Sequence, residues 1–239
     1  MGAYKAPFLE RATMTETIRA TRPEPPPHVS AEIEVAHTPL PKWAIGEFFG
    51  TFLLVFFGCG SICAAVATGA QIGIFQVAVV WGIGIATAIY LTGSLTSAHL
   101  NPAVTIASAA WSRFPVRLVV PCILVQMLGA FAAAALLFSI FSDAIAAYEA
   151  KHGITRGAQG SEATAMVFGE YFPNPGGKAL TEAARDLAPR IFSSFASWRS
   201  VPFTTNGTGW LTVYIIAPIV GGLLGGGIYR VFFRPGYRL

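Results

Sequence analysis

Three long stretches of this sequence contain no Asp, Glu, Lys or Arg, and they constrain the fold more than any other feature. They cover residues 48–112, 118–142 and 200–229. A helix needs roughly 20 predominantly apolar residues to cross about 30 Å of hydrocarbon. The first stretch alone is long enough for more than two crossings. The sequence therefore predicts an all-α membrane protein.

The overall composition agrees with this interpretation and excludes several other classes of function. Charged residues make up 12% of the chain and hydrophobic residues 54%, whereas a soluble domain carries about 25% charged residues. The formal net charge of +4 does not indicate a nucleic-acid partner, because the basic residues flank the apolar stretches and form no single polar face. No spacing in the sequence assembles a nucleophile, a base and an orienting group, so we predict no enzymatic activity.

The three cysteines all lie inside apolar segments, at Cys59, Cys63 and Cys122. Cys59 and Cys63 share one helix face, and no His or acidic neighbour completes a metal-binding set. We expect small buried core residues, and we predict neither a metal nor a cofactor.

Hydrophobicity divides the chain into a polar tail and a membrane domain. Residues 1–42 contain a Pro-rich run and no apolar segment of signal-peptide type, so we expect a disordered cytoplasmic tail. Residues 43–233 form the predicted membrane domain. Its four predicted spans cover residues 43–68, 72–92, 116–141 and 211–233.

Two segments between the last two spans are predicted to differ from the rest of the membrane domain. Residues 142–180 are rich in Gly, Pro and charge, and we expect a long external loop. Residues 182–198 have the pattern of a short helix.

Basic clusters beside two of the spans predict the orientation of the chain. The clusters are Arg113 and Arg117 before the third span, and Arg230, Arg234 and Arg238 after the last one. Loops that carry an excess of Lys and Arg stay in the cytoplasm. With four spans, both termini, including residues 234–239, are then cytoplasmic and residues 142–210 are external. We expect a multi-pass protein of the inner or plasma membrane.

The segment after the second span is too polar for a lipid-facing helix, although it lies within a charge-free stretch. Asn101 is a favoured N-cap, and Pro102 suits the first turn of a helix, where its missing N–H is not needed. Non-helical backbone at membrane depth is tolerated only if protein buries it or if it lines a wet cavity. The sequence predicts a loop that dips into the membrane and a half-helix over residues 102–111.

A half-helix of this kind has the chemistry of a pore for neutral solutes. Its N-terminus presents unpaired N–H groups and a partial positive charge. The Asn101 amide can donate to a passing hydroxyl group or water, and the carbonyls around His99 offer a series of acceptors. This arrangement favours neutral hydroxylated molecules and opposes cations.

Several motifs together resemble the aquaporin, or major intrinsic protein, family and in particular its glycerol-facilitator type. The first signature of that family is similar to SAHLNPAVT at residues 97–105, and its first helix is similar to GEFFGTF at 46–52. The run WGIG at 81–84 resembles the second helix of glycerol facilitators. The run YFPNP at 171–175 resembles their long outer loop. Residues 185–232, which begin with the run RDLAPRIF, resemble the second half-helix and the last span.

The resemblance implies a role for each candidate site residue. Glu47 would brace the re-entrant loop, and Trp81 would form an apolar wall of the selectivity filter. Arg185 would be the outer donor of that filter. Asn101, with Pro102 and Ala103 of the signature and His99 before it, would form the central part of the path. The predicted site residues are therefore Asn101, Pro102, Ala103, His99, Trp81, Arg185 and Glu47.

The family resemblance also implies a fold, a solute and an assembly. It implies an aquaporin-like helical bundle in a lipid bilayer, assembled as a homo-oligomer, specifically a tetramer. The solute would be glycerol or another small polyol, and water is a second candidate.

The chain departs from the family pattern in its second half. The family has six spans and two Asn-Pro-Ala half-helices, whereas four spans and one such signature are found here. Glu182 and Ala183 stand where the family has Asn and Pro. The interpretation is an incomplete bundle in which the fourth and fifth spans are missing and residues 182–198 are a remnant of the second half-helix. A non-conducting subunit that assembles with full-length relatives is therefore an alternative function.

Overall fold

A computed structural model describes residues 42–70, 73–169, 183–205 and 207–233 of the chain. The predictions for residues 1–41, for the outer-loop run at 171–175, for Glu182 and for residues 234–239 lie outside the described residues.

The described residues form nine α-helices, several of which continue into tighter or wider helical turns. They are α1 Lys42–Cys63, α2 Ile74–Thr92, α3 Pro102–Trp111, α4 Val119–His152, α5 Glu162–Ala165, α6 Ala183–Ser193, α7 Val201–Thr204, α8 Gly209–Leu211 and α9 Ala217–Ile228. The adjoining 3-10 turns are Val116–Leu118 and Met166–Phe168, and the adjoining π-helical turns are Ala64–Thr68, Ser194–Trp198, Thr212–Ile216 and Tyr229–Phe233.

Four helical segments in the described part of the chain are long and apolar enough to cross a membrane, as the sequence predicted. They are Lys42–Thr68, Phe75–Thr92, Val116–His152 and Gly209–Phe232. The third ends later than the predicted residue 141. It continues to His152 and stops at Gly153, whose positive φ of 65° and N–H contact with Ala150 O end the helix. Glycine adopts this left-handed conformation without steric cost.

Helix α1 packs between α2 and α4. Glycines at the contacts allow the helices to approach one another closely. A Cβ atom on Gly129 would lie 2.3 Å from the backbone oxygen of Phe48, so α4 contacts the α1 backbone directly. A Cβ atom on Gly84 of α2 would lie 2.6 Å from Phe57 Cβ. Close contact through small residues is how helices associate in lipid, where the hydrophobic effect between helices is absent. The three cysteines are buried, as expected.

A polar cluster joins the end of α4 to α5 and to the turn after α6. Arg156 forms an ion pair with Glu149 at 2.7 Å and stacks on Trp198 with its guanidinium carbon 4.4 Å from the ring centroid. Thr164 donates to Glu149 at 2.8 Å and accepts from Trp198 Nε1 at 3.1 Å. These contacts hold the end of α4, α5 and the turn after α6 together at one end of the bundle.

The last helical segment has far fewer protein contacts than the first. In its most apolar part 6% of the residues are buried, compared with 44% in the first span. Its main partner is α3, where Trp111 Nε1 donates to Leu223 O at 2.9 Å. Much of its apolar surface is therefore left uncovered by the described residues.

Candidate pore site

The site is built around the non-helical backbone that leads from α2 to α3. Ala98 and Leu100 have positive φ angles of 47° and 50°. Such angles are uncommon for residues other than glycine and cost about 1–2 kcal/mol each. The strain is offset by hydrogen bonds of this loop, including those of the His99 and Leu100 backbone N–H groups.

Those contacts converge on Glu47, which is 1% exposed on α1. Its Oε1 accepts from Thr96 Oγ1 at 2.7 Å and from the His99 backbone N–H at 2.9 Å. Its Oε2 accepts from the Leu100 backbone N–H at 2.8 Å and from Gln126 Nε2 at 2.7 Å. A buried carboxylate is stable only when hydrogen bonds replace its lost hydration, and these four bonds provide that replacement.

The direction of these N–H groups fixes the direction of the loop carbonyls. In a trans peptide the C=O of one residue points opposite to the N–H of the next. The N–H groups of His99 and Leu100 point to Glu47. The carbonyl oxygens of Ala98 and His99 therefore point away from Glu47, and both are acceptors on the opposite side of the loop.

Helix α3 begins as the sequence predicted. Asn101 is extended, with φ −157° and ψ 128°, and its Oδ1 accepts from the Ala103 backbone N–H at 2.9 Å. Pro102 occupies the first helical turn, where no N–H donor is required. With Oδ1 engaged in the cap, the Asn101 amide nitrogen has no acceptor among the described residues and can donate to a solute.

Two glycines of α1 allow the loop to lie against that helix. A Cβ atom on Gly46 would be 2.5 Å from Thr96 Cγ2, and one on Gly50 would be 2.3 Å from Leu100 Cδ2. Side chains at these two positions would push the loop away from Glu47. The spacing of Gly46, Glu47 and Gly50 therefore has a direct geometric role.

Gln126 of α4 belongs to the same network and was not predicted from the sequence. Its Nε2 donates to Glu47 and also lies 3.0 Å from Thr105 Oγ1 of α3. Thr105 Oγ1 in turn donates to Asn101 O at 3.1 Å. The signal was present in the sequence, because a lone polar residue inside an apolar span is a site candidate by default.

His99 contributes less side-chain surface than expected. It is 8% exposed, its ring meets the edge of Phe114 at 4.8 Å between centroids, and its Nδ1 has no hydrogen-bond partner among the described residues. Ligand atoms of Glu47, His99 and Cys122 lie within 4.8 Å of one another. Because each oxygen of Glu47 already accepts two hydrogen bonds, a cation would have to displace these donors. We assign no metal to this cluster.

Trp81 lies apart from the Glu47 network. Trp81 is half-buried on α2 and packs on Gly58, where a Cβ atom would be 2.4 Å from Trp81 Cζ2. Gly58 lies roughly 16 Å from Glu47 along α1 at 1.5 Å per residue, so Trp81 is at a different depth. Arg185 lies in α6, but its side chain lies outside the described residues.

The residue after Arg185 has a structural partner. Asp186 forms a two-point ion pair with Arg190, at 2.6 Å and 2.8 Å, and both side chains are buried. Arg190 also donates to the Pro202 carbonyl and stacks over Tyr214 at 5.3 Å. This pair connects α6 to α7 and to the start of the last helical segment.

Comparison with known proteins identifies the family. The model of the family described as major intrinsic protein matches residues 34–172, which is more than half of the chain. The chain belongs to the major intrinsic protein family. The glycerol uptake facilitator of Haemophilus influenzae is 34% identical over 242 residues, covering 78% of this chain and 91% of that relative. The propanediol uptake facilitator PduF of Citrobacter freundii is 30% identical over 244 residues, covering 78% of this chain and 90% of the relative.

The fold of the family is also found in solved structures. The aquaglyceroporin from Plasmodium falciparum superposes with a TM-score of 0.64, at 20% identity, over 81% of this chain and 97% of that one. The aquaporin-like helical bundle predicted from the sequence is therefore confirmed.

The alignment with family members locates the departure from the six-span pattern inside the chain. In the Haemophilus influenzae comparison, 78% of 239 residues, about 186, are aligned over 242 positions. About 56 positions of that alignment therefore carry no residue of this chain, which is room for two spans of roughly 20 residues and their connections. The four spans of the described residues agree with an incomplete member of the family.

Proposed function

We propose that the chain provides a passive path across the membrane for small neutral polyols, chiefly glycerol, and for water. The observation that carries the proposal is the Glu47 network, which holds the non-helical loop against α1 and leaves Ala98 O and His99 O directed away from the brace. The names of the glycerol and propanediol uptake facilitators support the choice of solute.

Along the path, hydrogen bonds to the protein would replace the water molecules around each hydroxyl group of the solute in turn. The loop carbonyls accept from hydroxyl groups, and the Asn101 amide nitrogen donates to a hydroxyl or water oxygen. The N-terminus of α3 adds a partial positive charge that opposes cations. In this scheme Pro102 and Ala103 keep the half-helix N-terminus open, and Glu47 is a positioning residue that does not touch the solute.

Two further roles in this scheme rest on the resemblance. Trp81 would supply an apolar wall for the carbon face of a polyol, and Arg185 would supply the outer hydrogen-bond donor. His99 would act mainly through its backbone carbonyl, because its ring is nearly buried.

The remaining parts of the proposal concern location and assembly. We infer a multi-pass protein of the inner or plasma membrane with both termini in the cytoplasm, on the basis of the basic clusters. We infer a homotetramer from the family resemblance.

The uncovered last helical segment lowers the expected rate of transport. Two absent spans leave part of the pore wall open, and the donor that a second Asn would supply is missing. A lost donor in a low-dielectric pore costs on the order of a few kcal/mol, and about 3 kcal/mol slows passage by more than a hundredfold. We expect a glycerol flux per protein more than a hundredfold below that of a complete facilitator.

Stopped-flow swelling of liposomes that contain the purified chain tests the proposal. We expect glycerol flux above that of protein-free liposomes, and we expect Asn101→Asp to abolish it. The Asp side chain can still cap Ala103 N–H, but it has no amide donor and it adds a charge. Asp143→Asn, at an exposed position of α4, is the control and should conduct like the original chain.

Equal flux in the original chain and in Asn101→Asp, above that of protein-free liposomes, would contradict the proposed path. Flux at the level of protein-free liposomes in both would favour the non-conducting subunit. A flux within tenfold of a complete facilitator would show that the open wall costs less than we infer.

A further inference from the structure

A groove runs between α3 and the last helical segment, at the end where Arg230 lies. Its volume is about 450 Å³, within the range of small-molecule sites, and Ser108, Trp111 and Ser112 line it from one side and Gly222, Gly226 and Arg230 from the other. It is separate from the Glu47 network, which lies at the opposite end of α3.

The floor of the groove is shaped by glycine and by one fixed indole ring. A Cβ atom on Gly226 would lie 2.6 Å from Trp111 Cδ1, so the ring lies directly on the helix backbone. Trp111 Nε1 donates to Leu223 O at 2.9 Å, which fixes the orientation of the ring. Gly222 leaves room beside Ala107, where a Cβ atom would be 3.6 Å from the Ala107 methyl group. The floor of the groove therefore consists of the indole ring, the Ala107 methyl group and glycine backbone.

The mouth of the groove is positively charged. The Arg230 guanidinium carbon lies 5.7 Å from the centroid of the Trp111 ring, close enough for a cation–π contact that holds the charge at the mouth. Arg230 has no carboxylate partner among the described residues, and no acidic residue is among those that line the groove. The hydroxyls of Ser108 and Ser112 are further possible donors.

The surroundings of the mouth are apolar and uncovered. Val231 and Phe232, the next two residues, are 62% and 74% exposed, and Leu224 of α9 is 63% exposed. An exposed apolar surface next to an aromatic and a cationic residue is typical of the boundary between hydrocarbon and headgroups.

We propose that this groove binds an anionic phospholipid. One acyl chain lies along Gly222 and Gly226, and the phosphate accepts hydrogen bonds from Arg230 and from Ser112. Charge complementarity selects an anionic headgroup, and the apolar floor selects a lipid over a free phosphate ion. The lipid would cover part of the surface that the last helical segment leaves open to the bilayer.

Native mass spectrometry of the purified full chain tests this, with added phosphatidylglycerol or phosphatidylcholine as the probe. We expect phosphatidylglycerol to be retained in preference to phosphatidylcholine. We expect Arg230→Gln to reduce that preference by about fivefold to tenfold, since one basic residue near a membrane contributes a factor of this order. Arg117→Gln removes an exposed arginine outside the groove and should leave the preference unchanged.

Ser108→Leu is a second variant that keeps the charge and fills the floor of the groove. We expect it to weaken retention of phosphatidylglycerol by a similar factor although Arg230 is intact, and circular dichroism would verify its helical content. Equal losses in Arg230→Gln and Arg117→Gln, or no loss in Arg230→Gln, would overturn the proposal in favour of diffuse surface attraction. Displacement of phosphatidylglycerol by millimolar inorganic phosphate would overturn it in favour of a soluble anion.

Discussion

Glu47 has two carboxylate oxygens and accepts four hydrogen bonds, from a hydroxyl, an amide and two backbone N–H groups. No neutral side chain of similar size can accept the same set. The loop backbone around His99 is strained at two positions, so it needs these contacts to stay in place. At the scale of single residues, the site therefore depends on one charge.

The first prediction concerns the removal of that charge. In Glu47→Gln, an NH₂ group faces donors that previously met an oxygen, so at least one buried N–H loses its acceptor. An unpaired buried donor costs about 1–3 kcal/mol, and more than one is affected. We expect a clear fall in the thermal midpoint in detergent together with loss of glycerol flux. Asp143→Asn is again the control, and an unchanged midpoint in Glu47→Gln would show that the loop is held by other contacts.

The contact partners of Glu47 show which parts of the site the sequence could predict. Asn101 and Pro102 could be assigned to a helix start because capping preferences are local. Gln126 was not assigned, since its importance depends on α4 lying beside α1, which is a property of the packed bundle. The direction of the His99 ring depends in the same way on Phe114.

At the scale of helices, local signals predicted some boundaries better than others. Helix α3 runs from Pro102 to Trp111 as predicted, because its start has a strong cap. The end of the third span was predicted too early, at residue 141, shortly before the first charged residue after the apolar run. Gly153, preceded by Lys151 and His152, is the signal for the true end, because glycine and basic residues favour helix C-termini.

The second prediction concerns the contact between α1 and α4. Gly129→Ala places a methyl group 2.3 Å from the Phe48 backbone oxygen, and because that atom is backbone, the helices must separate. Overpacking of this kind costs about 1–3 kcal/mol. We expect a lower thermal midpoint and faster exchange of the Glu47 network with solvent.

Gly82→Ala is the matched control, because no atom lies within 4 Å of a Cβ atom at that position. Alanine has a higher helix propensity than glycine by about 1 kcal/mol, so the expected midpoint is equal or higher. If Gly129→Ala and Gly82→Ala had the same thermal midpoint, the close approach of α1 and α4 would not limit the stability of the protein.

At the scale of the whole molecule, four membrane crossings would place the two ends of the membrane domain on the same side. The third prediction tests this with single cysteines at exposed positions: Gln159→Cys and Thr208→Cys for the external side, and Ser112→Cys for the cytoplasmic side. The three native cysteines are buried, so we expect the maleimide to label them only weakly. We expect an impermeant maleimide applied from outside to label the first two and not the third. Labelling of all three from the same side would contradict the proposed topology.

The number of spans could be predicted from the sequence, but the contacts between the spans could not. Apolar length is sufficient to count crossings, and the count of four is confirmed in the described residues. The weak burial of the last helical segment depends on which helices lie beside it, and hydropathy contains no information about neighbours.

The Glu47 brace also has a consequence for the order of biosynthesis. Its partners lie 49, 52, 53 and 79 residues further along the chain. At 5–20 residues per second, the ribosome adds Gln126 about 4 to 16 s after Glu47. An unpaired carboxylate is costly in lipid throughout that interval. We therefore expect α1 to remain beside water or the protein wall of the insertion machinery until the loop and α4 have been synthesised.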